Sequence, residues 1–160
     1  GLHGFYLWGW AGQLNTGDDV FLTVVTHHLR KAFPKAEFFM DQDISQCTAE
    51  ICGVRTAFNR RRILPYQNRL RRSAFRKQSE AFVFIGGSLF PSAESVQQLA
   101  DDFHWNQGGK RILAFGVSVG PFESEAHEDA TTQYISRIDF VAYRDDFSCA
   151  WALSKVSASS

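Results

Sequence analysis

The chain has 160 residues, 44% of them hydrophobic and 21% charged, with a formal net charge of zero at pH 7. That profile fits one soluble globular domain able to bury roughly two thirds of its unfolded surface. It excludes a helical membrane protein, because no stretch reaches the roughly 20 apolar residues of a span.

Residues 1–20 carry neither the basic start nor the small-residue cleavage site of a signal peptide. Cys47, Cys52 and Cys149 are odd in number. They lack the spacing of a disulfide framework or a zinc site, so they are expected as plain thiols in a reducing, cytoplasmic setting. Fifteen phenylalanines point to a core of large aromatic volumes.

The elements follow in chain order. Residues 4–10 form a first strand, and a helix starts at Asp18 or Asp19 and runs to about Phe33. Its Val20, Leu22, Val24, Val25, Leu29 and Phe33 recur at helical intervals, and Pro34 stops it. Ala36–Met40 is a second strand, completing a βαβ unit. Ala49–Ala57 is expected as a helix, and so is Tyr66–Gln78, with Pro65 at its first turn. Ala81–Ile85 is a continuous apolar strand of the kind buried in parallel sheets. Ser92 or Ala93 to Phe103 reads as helix, Arg111–Phe115 as strand and Glu123–Ser136 as helix. Phe140–Tyr143 is a last strand, and Asp145 or Asp146 opens a helix through about Leu153.

Alternating strands and helices predict an α/β, Rossmann-like domain with a mainly parallel sheet over residues 1–156, followed by a tail, 157–160. Gly1 just before the first strand and the Ser-rich tail read as cut ends of a longer chain.

Several glycines stand where apolar runs end. Phe5–Trp10 leads into Asn15-Thr16-Gly17-Asp18-Asp19, Ala81–Ile85 into Gly86-Gly87-Ser88, and Ile112–Phe115 into Gly116-Val117-Ser118-Val119-Gly120-Pro121. Such strand ends let a ligand approach backbone in the crevice of a parallel sheet.

Each segment has a structural reading beside the functional one. One of Asp18 and Asp19 is expected to cap the helix, and the other to hold or deprotonate a sugar hydroxyl. Gly86-Gly87-Ser88 is either a tight turn or a place for substrate against backbone, and it lacks the lysine of a P-loop. Gly116-x-Ser118-x-Gly120 superficially matches a nucleophile elbow. Pro121 and the distance to the next helix argue instead for a substrate-lining loop with Ser118 as donor. Arg144, in Tyr143-Arg144-Asp145-Asp146-x-Ser148, either clamps a phosphate or carboxylate or pairs with a neighbouring aspartate. The five histidines show no ligand spacing, and no metal is expected.

Charge is uneven. From Arg55 to Lys77 there are nine Arg or Lys and no acid, which leaves the rest of the chain at minus nine. This segment, with Arg60, Arg61 and Arg62, is either a solvated face or a contact for an anionic membrane or phosphate-rich acceptor. Its aromatics are too sparse for nucleic acid.

Taken together, Tyr6-Leu7-Trp8-Gly9 with Asn15–Asp19, Phe82–Ser88, Gly116–Pro121 and Val141–Ser148 resemble the polysaccharide pyruvyltransferase family. The resemblance implies the N-terminal half of a two-domain enzyme of glycosyltransferase-B type, moving pyruvyl from phosphoenolpyruvate to a sugar acceptor as a ketal. No cofactor beyond that co-substrate is implied. The donor grip would lie in a C-terminal domain outside this chain, so the chain alone is expected to be inactive. Its own contribution would be Asp18 as catalytic base, with Asn15, Gly17, Asp19, Gly86, Gly87, Ser88, Gly116, Ser118 and Arg144 binding substrate. The rival readings are a glycosyltransferase using a nucleotide sugar and a non-enzymatic anion-binding module built on residues 55–77.

Overall fold

The computed structural model describes residues 3–9, 11, 16–40, 42–58, 66–88, 92, 94, 96–97 and 109–156. Six strands, β1 (Gly4–Gly9), β2 (Glu37–Met40), β3 (Arg55–Thr56), β4 (Ala81–Ser88), β5 (Arg111–Ser118) and β6 (Phe140–Tyr143), form one sheet in the order β3-β2-β1-β4-β5-β6. Every pairing with a described register is parallel. Between the strands run α1 (Thr16–Ala32), α2 (Gln46–Cys52), α3 (Gln67–Gln78) and α4 (Glu125–Ile135), and α5 (Asp146–Lys155) follows β6. The fold is α/β and Rossmann-like. The chain divides into two compact units, Gly1–Ile85 and Gly86–Ser160.

The core of unit 1 is aromatic. Phe5, Tyr6, Phe39, Phe82 and Phe84 are 0% exposed. Tyr6 stacks on Phe82 at 5.9 Å between centroids, Phe5 on Phe38 at 5.4 Å and Phe39 on Phe75 at 4.5 Å. Central strands of a parallel sheet are buried on both faces, which is why Phe5-Tyr6-Leu7 and Ala81–Ile85 show no polar alternation. At the end of β1 the backbone of Gly9 lies directly against Ile85, where an added Cβ would meet the Ile85 carbonyl oxygen.

α1 buries Leu22, Val25, Thr26 and Leu29, one stripe at spacings of three and four. Val20 and Val24, counted with them in the sequence, fall off that stripe and are 57% and 47% exposed.

The stretch 49–57 departs from expectation. Helix α2 starts earlier, capped by the Ser45 hydroxyl accepting from Thr48 N at 3.0 Å. It ends at Gly53, whose φ of 61 turns the chain left-handed. The next residues, Arg55–Thr56, pair with Phe39 and Met40 as strand β3. β4 also runs further than expected, through Gly86 and Gly87 to Ser88. β5 likewise extends past Phe115 to Ser118. Of the helix expected at 92–103, most lies outside the described residues, though Glu94, Val96 and Gln97 are helical.

In unit 2, β5 and β6 pair from Leu113↔Phe140 to Val117↔Tyr143, with one extra residue on β5 between Phe115 and Val117. That residue is Gly116, at φ 63, and the bulge re-aims the strand's last residues. α4 is capped by the Ser124 hydroxyl, and Asp139 fastens the foot of the sheet by accepting from Ile112 N at 2.8 Å and Arg111 Nη1 at 2.7 Å.

Candidate functional site

In unit 1 the parallel register brings the carboxyl ends of β1, β2 and β3 to one edge, at Gly9, Met40 and Thr56, with Ile85 of β4 beside Gly9. Strand order reverses on either side of β1, where β2 lies on one flank and β4 on the other. Open α/β sheets bind ligands at such a switch point. α1 opens beyond the end of β1, starting at Thr16, two residues before the earlier of the two expected starts. Asp18 and Asp19 therefore sit half-buried inside its first turn, with Gly17 exposed beside them. Their charge complements the positive helix end, but neither is the residue that precedes the helix. Thr23 donates from its hydroxyl to the Asp19 carbonyl at 2.9 Å, tightening that turn. Asn15 lies outside the described residues, as do Arg60, Arg61 and Arg62.

Gly86 and Gly87 have φ values of 66 and 78 within the last stretch of β4, and Ser88 ends the strand. Gly86 is buried and Gly87 half-buried. A side chain at either position would be strained in that backbone conformation.

Unit 2 carries its own connected cluster at its strand ends. β5 and β6 end on the same side because they are parallel. Their tips are joined by a closed chain of hydrogen bonds. Ser118 Oγ donates to Asp145 Oδ2 at 2.7 Å, and Asp145 Oδ1 accepts from Ser148 N at 2.8 Å. Ser148 Oγ accepts from Val119 N at 2.9 Å, and Arg144 N donates to the Val117 carbonyl at 3.0 Å. Asp145 is the cap of α5, so one carboxylate both starts the helix and locks the end of β5 to it.

The Ser118 hydroxyl, then the Ser148 N–H, hold the Asp145 carboxyl below its ordinary pKa. Ser118 and Ser148 are 8% and 0% exposed. Ser118, the last residue of β5, thus spends its hydroxyl hydrogen bond on Asp145, and the nucleophile elbow, which needs serine at a sharp strand-to-helix turn, is not built. The histidine downstream, His127, is 1% exposed and accepts from Glu123 N through Nδ1 at 3.2 Å, packed against Phe122.

Beyond this seam, Arg144 is exposed, and its charge also favours ionised Asp145. Gly120, at φ 71, lies under the ring edge of Phe147, which is 62% exposed. The sequence marks Asp145 or Asp146 as the start of a helix but assigns no role to Phe147 or Ser148. The available signal was Asp145-x-x-Ser148, the spacing of an acidic cap and the third residue of its helix. Burial pushes the Tyr143 phenol up, with the nearby Cys149 adding to the shift. Among the described residues no group of three or more His, Cys, Asp or Glu is placed to hold a metal ion.

No curated protein and no solved structure matches the chain. A family model described as polysaccharide pyruvyl transferase matches residues 15–157, a span that includes the start of α1, the glycines of β4 and the whole Ser118–Asp145–Ser148 seam. The chain therefore belongs to the polysaccharide pyruvyl transferase family, a family of transferases.

Proposed function

We propose that the chain serves transfer of a pyruvyl group from phosphoenolpyruvate to two hydroxyls of one sugar, giving a ketal. Both hydroxyl oxygens bond to C2 of the donor, the C2–O bond to phosphate breaks, and the methylene takes a proton to become methyl. One hydroxyl proton balances that gain and the other departs with phosphate. Asp18 is assigned as the base that receives a hydroxyl proton, with Asn15 and Asp19 orienting the sugar. Gly17, Gly86, Gly87 and Ser88 present backbone for close approach. Gly116 and Ser118 position the β5 tip through the bulge and the bond to Asp145.

The observation that carries the reading, beside the family match, is Arg144. Its side chain is exposed while its own N–H is fixed to Val117 at 3.0 Å and the next residue is locked into the seam. A guanidinium on so well-held a backbone suits bidentate binding of a carboxylate or phosphate. The main donor grip is assigned to a second domain of glycosyltransferase-B type, as the family resemblance implies.

The test is a donor panel on a version of the protein that carries the assigned second domain, with phosphate release and acceptor mass followed together. Turnover with phosphoenolpyruvate, lost in Asp18→Asn and strongly reduced in Arg144→Lys, is the expected result. Turnover with a nucleotide sugar and none with phosphoenolpyruvate would overturn it.

A further inference from the structure

Helix α3 lies in unit 1 and has an inward side set by Asn68 and Phe75, 9% and 5% exposed. Phe75 stacks on Phe39 there at 4.5 Å. At 3.6 residues per turn, positions 66, 70, 73, 74 and 77 share the opposite side. A helix on a water-facing surface places polar groups at that pole. Here Tyr66, at the helix's leading edge, and Leu70 are 67% and 66% exposed, and Ala74 is exposed after them. Arg69, exposed, lies beside this line, and exposed Lys77 continues it. Gln67–Gln78 holds five cations and no acid. The other three cations lie off this face, with Arg72 toward the side of Asn68, Arg71 half-buried and Arg76 over the Tyr6 ring at 5.5 Å. Three more arginines, Arg60–Arg62, precede the helix in sequence.

An apolar crest with cations along its sides is the arrangement of a helix lying in the interface of an anionic bilayer, apolar side chains among the acyl chains and arginines among the headgroups. A nucleic-acid backbone would satisfy the cations but offers nothing to Tyr66 and Leu70. We propose that the outward face of α3 docks the protein peripherally on an anionic membrane surface, with Tyr66 and Leu70 entering the interface and Arg69 and Lys77 meeting lipid phosphates. The idea is independent of the transfer chemistry.

Co-sedimentation of the purified protein with vesicles of equimolar phosphatidylglycerol and phosphatidylcholine, against pure phosphatidylcholine, tests it. Binding to the anionic vesicles alone is expected, weakened roughly tenfold by Leu70→Asp and at least as much by Arg69→Glu with Lys77→Glu. These side chains are exposed, and unchanged circular dichroism and melting of the variants confirm that folding is not the cause. Three outcomes would overturn the proposal. One is absence of anionic-vesicle binding, and another is equal binding to both vesicle types. The third is binding indifferent to Leu70→Asp and displaced by a single-stranded oligonucleotide, which would mark a polyanion site instead.

Discussion

The two units fix their strand ends by different means. In unit 1 the tip of β1 is set by contact, with Gly9 pressed against Ile85 and rows of buried rings behind it. In unit 2 the tips of β5 and β6 are set by polar bonds through Ser118, Asp145 and Ser148. Apolar contact is indifferent to pH but intolerant of changes in volume. A polar seam tolerates exposure and holds an exposed arginine in place, but it depends on ionised carboxylates. The difference suits a helix-start site in unit 1 and a charged tip in unit 2.

That contrast can be broken most severely in the aromatic core. Phe39→Ala, at a ring with no exposure and a 4.5 Å partner, is expected to cost about 3–5 kcal/mol in denaturant unfolding. Next comes Gly9→Ala. Its Cβ meets backbone rather than a flexible side chain, and a loss of about 1–3 kcal/mol is expected. In unit 2, Ser148→Ala removes the acceptor of the Val119 N–H at a position with 0% exposure. About 1–2 kcal/mol should be lost in thermal unfolding.

The pH response sharpens the comparison. The carboxyls of Asp145, Glu128 and Asp139 are all held below their ordinary values, chiefly by bonds from Ser118, from Trp151 and from the Ile112 N–H respectively. A depressed folded pKa adds stability that is present above the unfolded pKa and lost as pH falls through the folded one. The melting temperature should therefore hold from neutral pH to about 5 and fall below about 4. In Asp145→Asn the acid limb should flatten, with the variant less stable at neutral pH and converging on the parent in acid. The smallest effect belongs to Arg111→Ala. The side chains of its pair with Asp139 are 65% and 31% exposed, so less than about 1 kcal/mol is expected. Asp139→Ala should cost more, since the Ile112 N–H loses its acceptor as well.

How far the sequence reached depended on the range of the interaction. β1, β6 and the start of α5 were legible because apolar runs and an acidic cap are local signals. The end of α2 carried a local signal too, in Gly53, but an apolar count that ignored it ran the helix on and missed β3. In α1 the count of apolar residues was right and its phase was not, since Val20 and Val24 share the helical period of Leu22 and Leu29 only approximately. Gly86 and Gly87 read as a turn or as a place for substrate against backbone because glycine permits either, while the sheet accommodates them within β4.

What the chain alone determined is the strand–helix alternation, the glycine-marked strand ends and the family, all of which are patterns within short windows. The tertiary structure alone decided that Ser118 donates its hydrogen bond to Asp145, 27 residues away, that His127 is a core group, and that Tyr66 and Leu70 face outward on α3. The reason is physical. A residue's type limits the bonds it can make, but which bond it makes depends on what the fold brings within about 3 Å of it.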